Sequence, residues 1–422
     1  MSNPARKMSG GGRDADVVIV GAGIIGLMSA RLLRQQGANV IVVDRELPGR
    51  QATWSAGGML SPLIESEDDD PFFHIADRSF DLYPALIEAL RQEGGIDVDY
   101  RRTGKLQCAL EDDGVMALRR LASSPRAGPY GLQLYSGDEA RALHPALSDR
   151  VQAALFVERD YCVDNRLLAR ALIQNASACG VDVRVGADAE AILIEGGDAR
   201  GVRLSSGEEL RAAHVVVAAG AWSAQLTGLP RPLPVRPLRG QMLAFDARAA
   251  GTPAFEPAVG SEVCYLIPRS DGRLLVGATV EDVGFEDGPT PEGIAWLLDA
   301  ATAVVPAVAS LPIIETWANF RPGTPDGWPI IGADPTIAGL VYATGHYRNG
   351  ILLGPVTAEA VAMIIGGTTP DWMNPFAISR FDGLSTPTVA DPRCDLCGSK
   401  MLDRHCKLVC VQCGYQRDCS DP

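Results

Sequence analysis

The chain has 422 residues, with 38 lysines and arginines against 52 aspartates and glutamates, giving a formal charge of −14. At 46% hydrophobic and 21% charged residues it can build two or three cored domains and is not disordered in composition. The negative balance disfavours nucleic acid or an anionic lipid surface as partner, and no apolar run approaches the roughly 18–20 residues of a membrane span.

Residues 1–14 form a polar, glycine-rich stretch without the apolar segment of a secretory signal. It reads as a flexible leader, and the cytoplasm is the expected location. An apolar run at 16–20 then has the pattern of a fully buried parallel strand. It is followed by GAGIIG at 21–26, a helical stretch to about residue 36 closed by Gly37, and a second strand at 39–43 ending on Asp44. This is the start of a Rossmann-type βαβ unit. Gly21 permits the tight turn, Gly23 lets backbone approach a pyrophosphate, and Gly26 lets helix pack on strand. Asp44, eighteen residues after Gly26, is placed to accept from ribose hydroxyls and would repel a 2′-phosphate. The motif itself leaves NAD and FAD open.

Residues 51–60, QATWSAGGML, are small enough for backbone to lie against a flat ring and a pyrophosphate. A helix is expected over 72–90, short strands at 180–185 and 202–204, and a buried strand over 214–220. Turns rich in proline and glycine at 230–240 lead into alternating segments at 241–245, 264–267 and 274–278, the pattern of an antiparallel sheet. A strand–glycine pattern returns at 340–345, and 350–365 is an apolar helix. The expected class is therefore mixed α/β. An FAD- or NAD-type Rossmann domain (15–85, 150–230 and 320–385) is interleaved with an antiparallel-sheet substrate domain (86–149 and 231–319), and a tail module follows at 391–422.

Four later segments carry a resemblance: CYLIPR (264–269), the glycine-rich stretch 272–279, FRPGTPDGWPIIG (320–332) and ATGHYRNGILL (343–353). With 51–60 they resemble the FAD-dependent glycine oxidases of the D-amino-acid oxidase and sarcosine oxidase family, over residues 16 to 381. The resemblance implies FAD as cofactor. It places Gly21, Gly23, Ile24, Ile25, Gly26, Asp44, Arg45, Ala52, Thr53, Gly57, Gly58, Met59 and Ala189 around it, together with His346, Tyr347, Arg348, Asn349, Gly350, Ile351 and Leu352. It implies that Arg321 and Arg348 face a substrate carboxylate, with Tyr265 beside it; a planar guanidinium suits that task because it pairs bidentately. Tyr265 also reads as a core aromatic, and His346 as a hydrogen-bonded structural histidine. No cysteine occurs in the segment 317–321, where sarcosine oxidases tether their flavin, so the FAD is expected to be non-covalent. Val263 and Val280 stand where many glycine oxidases carry histidine and methionine.

The implied reaction is oxidation of glycine or another small amine or amino acid. The α C–H leaves as hydride to flavin N5, O2 restores the flavin and yields H2O2, and the imine is hydrolysed or feeds thiamine thiazole assembly. Orientation by the arginines does most of the work, and no protein acid or base is nominated. The alternative is an FAD-dependent dehydrogenase that uses an acceptor other than O2. A homo-oligomer is expected.

The cysteines divide unevenly. Cys108, Cys162, Cys179 and Cys264 are scattered, whereas Cys394, Cys397, Cys406, Cys410, Cys413 and Cys419 crowd the tail. Two C-x2-C-G knuckles, Cys394–Cys397 and Cys410–Cys413, are separated by twelve residues. Four thiolates so spaced predict a structural zinc site, with a rubredoxin-like iron site as the alternative. Iron would give the tail an electron-carrying role, and zinc a structural one.

Overall fold

The computed structural model describes residues 14–66, 69–250 and 256–383, together with three short strands of the tail. Two eight-stranded sheets organise the chain. In the first, Ala15–Val20 lies between Val40–Asp44 and Glu209–Val217, parallel to both. Leu340–Thr344 and Asp182–Val185 extend the parallel core on either side, and Ile330–Ala333 adds an antiparallel edge. Val17, Val18 and Ile19 are fully buried because both faces are covered. Helices Ile24–Gln35, Pro71–Gly94, Asn165–Ala178 and Gly350–Ile365 cover one face. Strands Ala189–Glu195 and Asp198–Leu204 belong to the packing on the other.

The helix expected over 72–90 runs longer, Pro71–Gly94, for reasons found at its ends. The Asp70 carboxylate accepts from the Phe73 amide at 2.7 Å, Pro71 occupies the first turn, and Gly95 closes the helix at φ 70°. Gly37 takes the expected left-handed turn after the first helix, at φ 93°.

The second sheet runs in the order Ile313–Gly323, Arg236–Asp246, Arg273–Gly277, Tyr265–Pro268, Ala258–Gly260, Lys105–Ala109, Ala153–Val157 and Leu132–Ser136. It is antiparallel at every pairing but one, because Ala258–Gly260 runs parallel to Lys105–Ala109. Ala153–Val157, expected with the dinucleotide-binding segment 150–230, pairs instead with Lys105–Ala109 in this sheet. Ile313–Gly323 crosses the expected boundary at 319/320, because its full length pairs with Arg236–Asp246. Helix Pro291–Val304 packs its apolar side on the second sheet.

In the tail, Met401–Arg404, Lys407–Cys410 and Gln416–Asp418 form a three-stranded antiparallel sheet. Cys394, Cys397 and Cys413 lie outside the described residues, and only the backbone of Cys410 is described. Among the described residues no group of metal-ligating side chains assembles, and no helix is long and apolar enough to cross a membrane.

Candidate active site

A cavity of about 810 Å³ opens between the carboxyl ends of the parallel strands and one face of the second sheet. Its dinucleotide end is built from backbone. Gly21 turns at φ 109°, and a Cβ there would lie 2.4 Å from the Ala218 carbonyl oxygen. A Cβ on Gly26 would sit 1.9 Å from the Gly21 carbonyl oxygen, so this glycine serves packing and lies outside the cavity wall. Gly23 differs: a Cβ would meet only Thr53 Oγ1, at 3.5 Å, and its backbone is open to the cavity. That open glycine precedes a helix whose first-turn amides lack intrahelical acceptors, an arrangement that fits a pyrophosphate. Thr53 Oγ1 accepts from the Ile24 amide at 2.9 Å and fixes the 51–58 loop against that turn. Asp44 accepts from the amides of Ala22 (2.7 Å) and Glu46 (2.9 Å) and stays on the wall; burial raises its carboxyl above the ordinary value, opposed by these bonds. Arg45 lies over the Trp222 ring at 4.1 Å, beside it. These residues fit a dinucleotide cofactor.

The loop that follows is pinned from far along the chain. Gly58 sits at φ 70°, where a Cβ would strike the Val163 carbonyl oxygen at 2.1 Å. The buried Arg269 guanidinium donates to the carbonyls of Gly57 (2.7 Å) and Val163 (2.8 Å) and to Asn165 Oδ1 (3.2 Å). Asn165 in turn donates to the carbonyls of Thr53 and Trp54, both at 2.8 Å. Burial lowers the Arg269 pKa, the Asp164 carboxylate 3.8 Å from its Nε opposes that fall, and the three neutral acceptors satisfy its Nη donors.

The opposite end carries side chains. Arg321 Nη1 donates to the Thr279 carbonyl at 2.9 Å, and no carboxylate among the described residues pairs with it. Gly240 makes room for the guanidinium, since a Cβ there would approach Nη1 to 2.1 Å. Tyr265 lies alongside; burial raises its phenol pKa, and the charge of Arg321 opposes that rise. Arg348 is arranged differently. Its side chain is 51% exposed and its Nη2 donates to Glu65 Oε2 at 2.9 Å, a carboxylate only 13% exposed. The turn bearing it is tied to the Arg321 strand, because the Tyr347 amide donates to the Pro322 carbonyl at 3.0 Å with Tyr347 at φ 47°. His346 is buried beneath, its Nε2 3.0 Å from Thr357 Oγ1. Burial pushes the ring down to about 3, so it stays neutral.

Of the residues expected at the site, Gly21, Gly23, Ile24, Ile25, Asp44, Arg45, Ala52, Thr53, Gly57, Gly58, Met59 and Ala189 line the cavity, as do Tyr265, Arg321 and residues 346–351. Gly26 and Leu352 do not; Leu352 packs in the apolar core under the first sheet. Val263 and Val280 are on the wall. Sequence reasoning passed over Arg269, Glu65, Lys105 and Gln107. Lys105 had one signal, being one of only four lysines in the chain, and Glu65 opens the acidic stretch ESEDDD at 65–70, a composition that by itself reads as solvated surface.

A parallel dinucleotide sheet joined to a second sheet that lines the same cavity is the architecture of a dinucleotide-dependent oxidoreductase. The profile of the DAO family, FAD dependent oxidoreductases, matches residues 16–364, and the chain belongs to that family. It is 36% identical over 356 residues to the glycine oxidase of Pseudomonas aeruginosa, covering 84% of this chain and 95% of that protein. It is 35% identical over 378 residues to the bifunctional protein ThiO/ThiG of Trichormus variabilis, 88% of this chain but only 56% of that longer protein. The glycine oxidase structure from Geobacillus kaustophilus superimposes with a TM-score of 0.83 at 30% identity, over 87% of this chain and 98% of that one.

Proposed function

We propose that the chain oxidises glycine or a similarly small amine that carries a carboxylate next to the reacting carbon. The observation that carries this reading is Arg321, a guanidinium on the cavity wall that donates to the Thr279 carbonyl and lies against the Tyr265 phenol, with no carboxylate among the described residues to pair with it. A substrate carboxylate supplies the charge it lacks, and bidentate pairing fixes the α-carbon. The named relatives, glycine oxidase and ThiO/ThiG, support glycine as the first substrate to try. FAD, when bound, supplies the redox chemistry, accepting the α-hydrogen with two electrons and returning them to O2 as H2O2.

The chain's own residues bind and orient. The first-turn amides after Gly23 and the carboxylate of Asp44 hold the dinucleotide; Arg321, with Tyr265 beside it, holds the substrate. Arg348 joins as a second cation at the mouth once Glu65 is displaced. His346, buried and neutral, positions its turn through Thr357 and exchanges no proton near pH 7. The imine product is hydrolysed or consumed in thiazole assembly for thiamine, as the ThiO/ThiG likeness supports. Cytoplasmic placement and a homo-oligomer complete the reading, with a dinucleotide-binding and a substrate domain whose boundaries shift so that 153–157 and 313–323 both go with the second sheet.

The test is an amine panel on the purified yellow protein with peroxide detection. Peroxide formed with glycine or sarcosine, and free flavin released by acid precipitation, supports the reading. Flavin reduced by substrate but slow to recolour in air indicates a dehydrogenase instead. For the tail, the paired C-x2-C-G spacing supports one zinc held by Cys394, Cys397, Cys410 and Cys413, outside the oxidase machinery. Elemental analysis should find about one zinc per chain, lost when Cys394 and Cys397 become serine. Stoichiometric iron would identify an electron carrier.

A further inference from the structure

The register of the second sheet aligns one row of cross-strand partners: Trp317, Met242, Gly277, Tyr265, Gly260 and Gln107. Side chains alternate along a strand, so Lys105, two residues before Gln107, shares its face. Both line the cavity, as Tyr265 does. The glycines in this row leave room in two directions. Tyr265 leans across Gly277, where a Cβ would meet its hydroxyl at 2.5 Å, and its Oη lies 3.7 Å from Met242 Sδ. Lys105 and Gln107 lean across Gly260, where a Cβ would lie 2.9 Å from Lys105 Cε and 2.3 Å from Gln107 Oε1. Gly260 is the direct neighbour of Tyr265 across the strands. Adjacent strands are about 4.8 Å apart, so the lysine reaches back to within roughly one strand spacing of the tyrosine strand.

Lys105 is 3% exposed, and its amine forms no hydrogen bond or ion pair with the described residues. A buried ammonium without a direct partner is costly unless a ligand or water meets it. None of the neighbouring carboxylates among the described residues forms an ion pair with it. Glu65 is held by Arg348 at 2.9 Å, and Glu262 accepts from the Leu110 amide at 3.2 Å. Asp160 accepts from Ser61 Oγ at 2.8 Å, its other oxygen is buried without a partner, and burial lifts its carboxyl to about 7 against the pull of Lys105. Gln107 Oε1 is likewise buried and unpartnered. The cavity thus has a polar annex whose ammonium has no direct partner among the described residues, Asp160 acting on it through space alone.

We propose that Lys105 and Gln107 form a second anion subsite, which receives the distal carboxylate of a small amine bearing two carboxylates while Arg321 holds the first. This rests on the amine-oxidase reading and names its substrate class: dicarboxylic amines in addition to glycine. The Lys105 ammonium pairs with the distal carboxylate, and the Gln107 amide donates to its second oxygen. No bond to the substrate is made or broken there, so Lys105 is a specificity residue and not a catalytic one.

Iminodiacetate and glycine share the reacting CH2–COO⁻ group and differ by one added carboxymethyl, which makes them the diagnostic pair. In the FAD-loaded enzyme, Lys105→Met should lower the ratio of kcat/KM for iminodiacetate to that for glycine at least tenfold, and Lys105→Arg should restore most of it. A ratio changed less than threefold by Lys105→Met overturns the proposal. Should Lys105→Met fail to fold, Gln107→Leu carries the same comparison with an expected loss of threefold or more, and no change overturns the proposal. Calorimetric titration with succinate and acetate, neither of which has an amine to oxidise, separates this idea from the oxidase reading. Succinate should bind the wild-type holoprotein at least tenfold tighter than acetate, even if no amine is oxidised; equal affinities refute the subsite.

Discussion

The two ends of the cavity are made of different material. At the dinucleotide end the working groups are backbone amides and missing Cβ atoms, at Gly21, Gly23 and Gly58. At the other end they are charged side chains, Arg321, Arg348, Glu65 and Lys105. Backbone is positioned by the fold itself, whereas a charge must be aimed and its counter-charge placed. The two arginines show the consequence. Arg321 rests on the Thr279 carbonyl and the neutral Tyr265 phenol in a space that Gly240 leaves open, and Arg348 is half exposed and already paired with Glu65. One is prepared for an anion, and the other must first exchange one.

The largest effect is expected where the ends are joined. Arg269→Met would strand the carbonyls of Gly57 and Val163 and the amide oxygen of Asn165 inside the protein. At ~1–3 kcal/mol for each unsatisfied group, the loss should be on the order of 3–5 kcal/mol, read as a lower thermal midpoint and weakened FAD retention. An unchanged midpoint would mean that the 51–58 loop holds itself.

Next comes a pH effect at the side-chain end. Burial holds the Asp160 carboxyl up to about 7, above its ordinary 3.8, so between those values the folded protein keeps a proton that the unfolded chain has released. Its contribution is therefore most favourable below about pH 4 and is lost as pH rises towards 7, by on the order of a few kcal/mol. Asp160→Asn, which keeps an acceptor for Ser61, should flatten the fall in thermal midpoint between pH 5 and pH 8. An undiminished slope would assign the pH dependence elsewhere.

The arginine contrast is sharpened by two smaller effects. Arg321→Ala should raise KM for glycine by about 10- to 100-fold, since a charge-assisted hydrogen-bonded pair contributes ~1.5–3 kcal/mol. Arg348→Ala should raise it only about threefold, because a half-exposed cation is screened and already has a partner. If the two variants rank in the opposite order, the assignment of the substrate anchor moves to Arg348. The smallest change is Glu65→Gln, which frees Arg348 and should lower KM about twofold to threefold, in keeping with a pair whose cation is half exposed and which is worth ~0.2–1 kcal/mol. A rise in KM would show that Glu65 helps hold the substrate.

What could be read from the sequence follows the same division. GAGIIG, the strand before it and Asp44 act on one another within about one βαβ unit, so order along the chain is nearly order in space. The segments around Arg321 and Arg348 were recognisable as resemblances, and the structure brings both to one wall. Neither segment by itself shows that Glu65, 283 residues from Arg348, would be its counter-ion. Nor does it show that Arg269 would fasten Gly57 from 212 residues away. The extra length of Pro71–Gly94 was also missed, although its Asp70 cap and Gly95 stop stand in the sequence.

The sequence by itself determined the dinucleotide half: hydrophobic runs buried on both faces, glycines where backbone must pass closely, and an acid at the strand end. These are local steric and hydrophobic requirements that any fold of this chain must meet. Tertiary structure alone decided which charges are answered. Strand Ala258–Gly260 runs parallel to Lys105–Ala109, and that register sets Gln107 one place beyond Gly260 from Tyr265. A charge interacts through space at distances set by sheet order, so its partner is fixed only when distant strands have found their register.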